Sequence, residues 1–415
     1  MPTSNPGNNT APRGRQFFFN PGPTNIPDRV LNAMNRPALD FFSEEFLPIL
    51  ARTHANIKTV LRTRQHLLMY ASNGHGAWEA ALVNLFKPGD KLLLLESGRF
   101  SSSWGDMAAQ LGLEIETIGC DWRLGVDMSV LADRLRADRA HAFKGVLAVH
   151  NETSTGVALP IADIRKALDA TKHPALLLVD TISSLASLDF RMDDWGVDIV
   201  VGGSQKGLMM TTGLAFTGIS ERAMAISETG GARRSYWNWK DMLTHKPQRF
   251  PGTTPVHLFF GLDESVRMLL EEGIDAAVAR HTRLARAVRA AVMHWGEAAR
   301  NGVSIGAKGI SGPIKAIELL PANPARASDS VSAIMVLDGH DTNALRKIAL
   351  QRFNLSLGGG LGPLGGRVFR IGHMGDLNEP MLLGALATVE LAMQVAKIPH
   401  RPGGTTAAIA ALADE

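Results

Sequence analysis

Between residues 66 and 220, short aliphatic runs alternate with segments of helical period, and this constrains the fold more than any other feature. The strand-like runs are Lys91–Glu96, with four consecutive leucines, then Glu114–Gly119, Gly145–His150, Leu176–Asp180, Asp198–Gly202 and Leu214–Gly218. Between them lie helix-like stretches at Gly76–Phe86, Ser101–Leu111, Ser129–Ala137 and Ile161–Ala170. Strands that are apolar throughout, separated by helices, belong to a mostly parallel sheet covered on both faces. Such sheets take their ligands outside the carboxyl ends of the strands. Three of these strands end in polar residues: His150-Asn151-Glu152-Thr153, Asp180-Thr181, and Gly202-Gly203-Ser204-Gln205-Lys206. The pattern predicts that these ends converge on one site.

Past residue 256 the character changes. Two long helical patterns, near 257–272 and 275–296, lead into a strand at Ser330–Val336, a helix at Thr342–Phe353, a strand at Arg367–Gly372 and a helix over 379–397. This reads as a smaller α+β domain. The expected division is a flexible tail over 1–15, a large domain over 16–278, a small domain over 279–400 and a loose tail over 401–415. Asn301–Ser328, rich in Pro, Ala and Gly, is expected to be loops around a strand.

Bulk properties exclude several classes. A net charge of +3 over 415 residues, without a dense basic run, argues against nucleic-acid binding. A single cysteine, Cys120, rules out an intrachain disulfide and a paired-cysteine zinc site, and no metal is expected. No apolar run approaches a membrane span, and residues 1–15 lack the pattern of a secretory or transit segment. The expectation is a cytoplasmic protein acting on small molecules.

Individual residues narrow the chemistry. Lys206 just past a buried strand is either an imine-forming amine of lowered pKa or an ordinary loop lysine. Asp180, directly after Leu-Leu-Leu-Val, is costly to bury unless paired. Beneath a pyridine ring it would keep the ring nitrogen protonated; otherwise it caps the next turn. Ser72-Asn73-Gly74-His75-Gly76 opens a helix and could hold a phosphate on free N–H groups, though it is no Walker A sequence. Phe100 could stack on a ring or simply fill core. Arg370, flanked by Val368, Phe369 and Ile371, must find an anion: a substrate carboxylate or a structural partner. Gly360-Leu361-Gly362-Pro363-Leu364-Gly365 fits G-x-G-x-x-G, but a strand rather than a helix follows, so it is not a dinucleotide fingerprint.

Taken in order, Phe19-Asn20-Pro21-Gly22-Pro23-Thr24, Ser72–Gly76, His150–Gly156, Val179-Asp180, Gly203–Gly207 and Phe369–Gly375 resemble the class V aminotransferases, most closely the serine–glyoxylate and alanine–glyoxylate branch. The likeness runs from about Phe18 to Lys397, and Ile398-Pro399-His400 also resembles bacterial serine–glyoxylate enzymes. It implies the PLP-transferase fold of type I, an α/β fold with a large mostly parallel sheet sandwiched by helices plus a smaller C-terminal α+β domain. It implies pyridoxal 5'-phosphate as cofactor and a homodimer, or a higher assembly, with sites at the subunit interface.

The resemblance assigns Lys206 and Asp180 as catalytic. Lys206 would carry the cofactor as a Schiff base and shuttle the proton, while Asp180 would pair the pyridine nitrogen. Phe100 would stack on the ring, and Thr153 would bond near its hydroxyl. Gly74, His75 and Gln205 would hold the phosphate, with Thr253 reaching it from the neighbouring subunit. Arg370 would bind the substrate carboxylate, and the Pro21–Asn25 loop, with Pro23 and Asn25, would line the substrate pocket. The implied reaction passes the amino group of a small amino acid, L-serine first, to glyoxylate, giving hydroxypyruvate and glycine. Alanine and aspartate are alternative donors. Desulfuration needs a mobile nucleophilic cysteine, which Cys120 at a strand end does not supply, and an idle PLP-binding protein would not need both Lys206 and Asp180. Three departures stand out: Phe250 where some relatives have a tyrosine, Met209-Met210-Thr211-Thr212 where many have a Pro-Pro-Gly turn, and the poorly matching Asn301–Ser328.

Overall fold

The computed structural model describes residues 14–244, 250–297 and 317–414, together with the backbone of a short strand pair at 303–304 and 313–314. Much of the Asn301–Ser328 segment and most of the tail over 1–15 therefore lie outside the described residues.

The large sheet has seven strands, in the order His66–Ser72, Gly213–Ile219, Ile199–Gly203, Leu176–Asp180, Phe143–Val149, Lys91–Leu95 and Glu114–Ile118. All pairings are parallel except those of Gly213–Ile219, which runs antiparallel to both neighbours. The central strands are buried along their whole length, as continuous aliphatic runs require. Side chains still alternate between faces. Leu177, Val179, Val146 and Ala148 join one apolar cluster with Ile57, Ile164 and Leu262. Leu176, Leu178, Leu147 and Val149 join the opposite cluster with Trp78, Leu82 and Trp104. Asp180, two residues past Leu178, therefore turns toward the face covered by the helix Gly74–Leu85.

A second, five-stranded sheet runs Phe17–Phe19, Leu355–Gly359, Val368–Gly372, Val331–Val336, Ile317–Leu319. Its core gathers Phe369, Ile371, Leu357 and the inward faces of the helices Thr342–Phe353 and Glu379–Val395. The N-terminal strand Phe17–Phe19 pairs in parallel with Leu355–Gly359, so the chain begins in the small sheet before building the large one. The helix Ile274–Gly296 spans the expected boundary at 278. Ala277 packs in the large core, whereas Leu284, Val288, Val292 and Trp295 pack in the small one.

The end of the chain differs from the loose tail expected over 401–415. Gly404–Ala413 is a helix packed on Ile274–Gly296, with Ala408 fully buried. Its start is fixed by Glu390, whose carboxylate accepts the Gly403 and Gly404 N–H groups at 2.7 and 2.9 Å and the Trp295 indole at 2.8 Å. A side chain at Gly404 would sit 2.1 Å from the Trp295 Nε1, so this close approach needs glycine. Among the described residues, no helix is long and apolar enough to cross a membrane.

Candidate active site

At the carboxyl ends of the large sheet lies a cavity of about 210 Å³. Its wall brings together Lys206, Asp180, Phe100 and Thr153, and from neighbouring turns Gly74, His75, Gln205 and Pro23. Three strand ends, as the polar residues after each strand predict, thus meet two helix starts, those of Gly74–Leu85 and Arg99–Gln110.

Asp180 is buried with both carboxylate oxygens in use. The Trp78 indole donates to Oδ2 at 2.8 Å, and the Ile182 backbone N–H to Oδ1 at 2.6 Å. Burial is the largest influence and pushes the carboxyl up to about 7, with the Ile182 and Trp78 donors opposing it. Lys206 is buried too. Burial, and then the Arg370 charge, bring its amine down to about 8, while Asp180 pulls the other way. The Lys206 Nζ donates to the Pro21 carbonyl at 2.5 Å. Around it the Thr24 N–H donates to the Gln205 carbonyl and the Thr24 hydroxyl to the Lys206 carbonyl, at 3.1 and 3.0 Å. The two loops are clamped together. A Cβ at Gly22 would lie 2.0 Å from Nζ and displace the amine, and its φ of +124° disfavours a side chain in any case.

The helix Gly74–Leu85 starts at the cavity, with Asn73 as its cap accepting from the His75 and Gly76 N–H groups at 3.1 and 3.4 Å. A Cβ at Gly74 would approach Ile182 Cδ1 to 2.1 Å, so the helix start can close on the Asp180 turn only without a side chain. Opposite, the Gln205 Oε1 is buried without a partner. Thr153 Oγ1 donates to Ser183 Oγ at 2.7 Å.

Arg370 lies just behind this wall. Its Nη1 donates to the Thr153 carbonyl and its Nε to the Gly359 carbonyl, both at 2.8 Å. Among the described residues two of its five N–H groups are used, leaving three. Among the described residues no carboxylate forms a salt bridge with it. Burial brings the guanidinium down to about 10, with Glu152 acting in the opposite direction.

Two expected site residues lie elsewhere. Asn25 does not face the cavity: its amide donates to the Phe18 carbonyl at 2.9 Å, and it lines a separate hollow of about 980 Å³ that shares only Pro23 and Thr212 with the first. The Pro21–Asn25 loop turns its far end away because Asn25 ties it to the N-terminal strand. Thr253 is exposed and outside the cavity of its own chain. Phe250 is buried against Phe259, in the large core. The sequence reading missed Trp78 and Glu152. Trp78 sits four residues past Gly74, on the same side of the helix, which was the available signal. Glu152 is wholly buried between the motif residues Asn151 and Thr153.

These features fit pyridoxal phosphate. A buried carboxyl without an ion-pair partner among the described residues suits a protonated ring nitrogen, the helix start at Gly74 suits a phosphate, and Lys206 is an amine of lowered basicity. A family model described as aminotransferase class-V matches residues 16–311. The chain belongs to the class-V aminotransferases. As such an aminotransferase it uses pyridoxal phosphate, and its two-sheet architecture is the fold-type I arrangement. This aminotransferase is 42% identical over 393 residues to the L-aspartate–glyoxylate aminotransferase of Paracoccus denitrificans, covering 94% of each chain. It is 43% identical over 397 residues to a serine–glyoxylate aminotransferase of Hyphomicrobium methylovorum, covering 95% of this chain and 93% of that one. Among solved structures, the pyridoxamine–pyruvate aminotransferase of Mesorhizobium loti superposes with a TM-score of 0.85 at 28% identity, covering 96% of this chain and 97% of that one.

Proposed function

We propose that this aminotransferase transfers the amino group of L-serine to glyoxylate, giving hydroxypyruvate and glycine. The observation that carries the reading is Arg370, a buried guanidinium with three unused N–H groups and no salt bridge among the described residues, next to a small cavity holding Lys206 and Asp180. A planar fork of this kind suits one α-carboxylate held in two bonds.

When bound, the cofactor supplies the electron sink that stabilises charge at the substrate Cα. Lys206 holds it covalently. Once displaced by the donor, the Lys206 Nζ would take the proton from the substrate Cα and deliver it to the cofactor carbon that receives the amino group. An amine at about 8 is already partly neutral near pH 7, and so able to act as a base. Asp180, ionised and steadied by Trp78 and Ile182, keeps the ring nitrogen protonated. Gln205, His75 and the N–H groups at Gly74 would hold its phosphate, Phe100 would cover the ring, and Thr153 would bond near the ring hydroxyl. Pro23 borders the space for the substrate. We assign a homodimer or higher assembly, in which Thr253 of the partner subunit reaches the phosphate; its exposure on this chain is consistent with that role. A single cysteine, with its thiol turned to the Glu96 carbonyl, fits a reducing cytoplasm.

Aspartate is the second reading, favoured by the 42% identity to an L-aspartate–glyoxylate enzyme. It calls for a second cation for the side-chain carboxylate. A panel of serine, alanine and aspartate with glyoxylate decides between them. Serine is expected to give the highest kcat/KM, with hydroxypyruvate as product; a clear preference for aspartate would transfer the assignment to the second reading.

A further inference from the structure

Glu152 is the one carboxylate in the site region that the reaction above does not use. It is fully buried, yet no lysine or arginine forms an ion pair with it among the described residues. Its partners are instead N–H and O–H donors. The Phe100 N–H lies 3.2 and 3.1 Å from its two oxygens, the Ser101 N–H donates to Oε2 at 3.0 Å, and Ser154 donates its N–H and hydroxyl to Oε1 at 3.1 and 2.6 Å. The Ser154 hydroxyl in turn accepts the Arg99 N–H at 2.9 Å. The first three N–H groups of the helix Arg99–Gln110 are thus held by Glu152 and Ser154, from a distant part of the chain. Gly98 makes room: a Cβ there would lie 2.4 Å from Glu152 Cγ.

That helix start carries Phe100, a wall of the cavity. The residue following Glu152 is Thr153, whose carbonyl accepts from Arg370 Nη1 at 2.8 Å. One short turn, Glu152-Thr153-Ser154, therefore grips the aromatic wall with side chains and the carboxylate-binding arginine with its backbone. An ionised carboxylate is required, because every partner is a donor and the helix N-terminus favours negative charge. An amide would turn an NH₂ toward an N–H.

We propose that Glu152 is a positioning residue that locks Phe100 and Arg370 into one rigid unit, so that ring stacking and carboxylate binding depend on its charge. This rests on the roles given above to Phe100 and Arg370. The test compares Glu152→Gln holoenzyme with the wild type, with Phe100→Ala and Arg370→Ala as references. Asp138→Asn is the control, because Asp138 accepts the Ala142 and Phe143 N–H groups at the opposite end of the sheet. The readouts are the visible circular-dichroism band of bound cofactor, the cofactor dissociation constant, and KM against kcat for serine and glyoxylate.

Glu152→Gln should raise both KM values about ten-fold and weaken cofactor binding by roughly five-fold, the scale of losing charge-assisted bonds, while kcat stays within about three-fold. The dichroism band should shrink, and Asp138→Asn should lower thermal stability alone. Should Glu152→Gln fold poorly, Ser154→Ala is expected to move the same readouts in the same direction, by about three-fold. The proposal is overturned if the Glu152 variant loses stability as Asp138→Asn does while KM, cofactor affinity and dichroism remain within two-fold of wild type. It is equally overturned if only the cofactor readouts move and KM does not, because the two groups are then uncoupled. If Phe100→Ala and Arg370→Ala themselves leave affinity and KM unchanged, the underlying assignment falls, and the proposal with it.

Discussion

Replacing Asp180 by asparagine should remove one contribution that falls with rising pH from the stability of the apoprotein, while abolishing efficient transamination. In the fold the Asp180 carboxyl is pushed up to about 7 from its ordinary value of 3.8, chiefly by burial. The folded state therefore holds a proton that the unfolded chain has already released. A group with a raised folded pKa contributes stability that is fully present below the unfolded value and is lost as pH rises through the folded one. Between pH 5 and pH 7.5 this one carboxyl should take about 2.5 kcal/mol from the wild-type apoprotein, measured relative to the variant so that the buried histidines, whose contributions run the other way, cancel. Asparagine carries no such proton. Its amide also meets the Trp78 or Ile182 donor unfavourably, but that penalty is constant with pH and cancels in the comparison. The assay is urea unfolding of both apoproteins at pH 5 and pH 7.5, taking the difference of the two pH differences. The window ends short of the range where Lys206, brought down to about 8, contributes strongly. A wild-type pH slope matching that of Asp180→Asn to within about 1 kcal/mol would refute the idea of a carboxyl held against its preference.

Lys206→Ala should drop kcat by on the order of 10⁴-fold or more, measured as single-turnover conversion of serine, because both the covalent link and the proton carrier are lost. Arg370→Ala should raise KM for serine and glyoxylate by about 100-fold and affect kcat much less, as loss of a buried two-bond carboxylate grip requires. Trp78→Phe removes a donor that holds the Asp180 carboxyl down, so the acid limb of the kcat/KM profile should move upward by about one pH unit. Glu390→Ala unties the last helix from Trp295 and should cost about 2 kcal/mol in urea unfolding with no change in cofactor affinity.

The large sheet was legible because each central strand is a run of aliphatic residues that no surface position would tolerate, and because polar residues follow three of them at the ligand-bearing end. Lys206, Asp180, Thr153 and Gln205 were found by that rule and share one cavity. Trp78 was not, since an aromatic on a helix reads as core until the face of its neighbour is known. Once Leu178 and Trp78 are in one cluster, the parity of the strand brings Asp180 to the same face. Phe17–Phe19 escaped because three residues carry no period, and their partner strand lies more than 300 residues away. The last helix escaped because Gly404–Ala413 is mostly alanine and threonine, and its order comes from Glu390 and Trp295 rather than from its own apolar stripe. Asn25 was misplaced for a local reason, its bond to the Phe18 carbonyl, which no sequence pattern encodes.

Burial drives all three charged groups of the site toward their neutral forms: the Asp180 carboxyl up, the Lys206 amine and the Arg370 guanidinium down. None has an ion-pair partner among the described residues, so the apo fold is strained electrostatically where the chemistry occurs. On the proposed reading each also has a complement in what the enzyme binds: a protonated ring nitrogen for Asp180, a carbonyl carbon for Lys206, a carboxylate for Arg370. Because these partners engage only the folded chain, cofactor and substrate should stabilise it by mass action beyond what their contact area implies. Glu152 differs in kind. Its charge is satisfied within the fold by a helix start and the Ser154 hydroxyl, which leaves it free to hold its neighbours still while the other three exchange partners. A site divided into groups that wait for ligands and one that is already satisfied can change charge during turnover without loosening its walls.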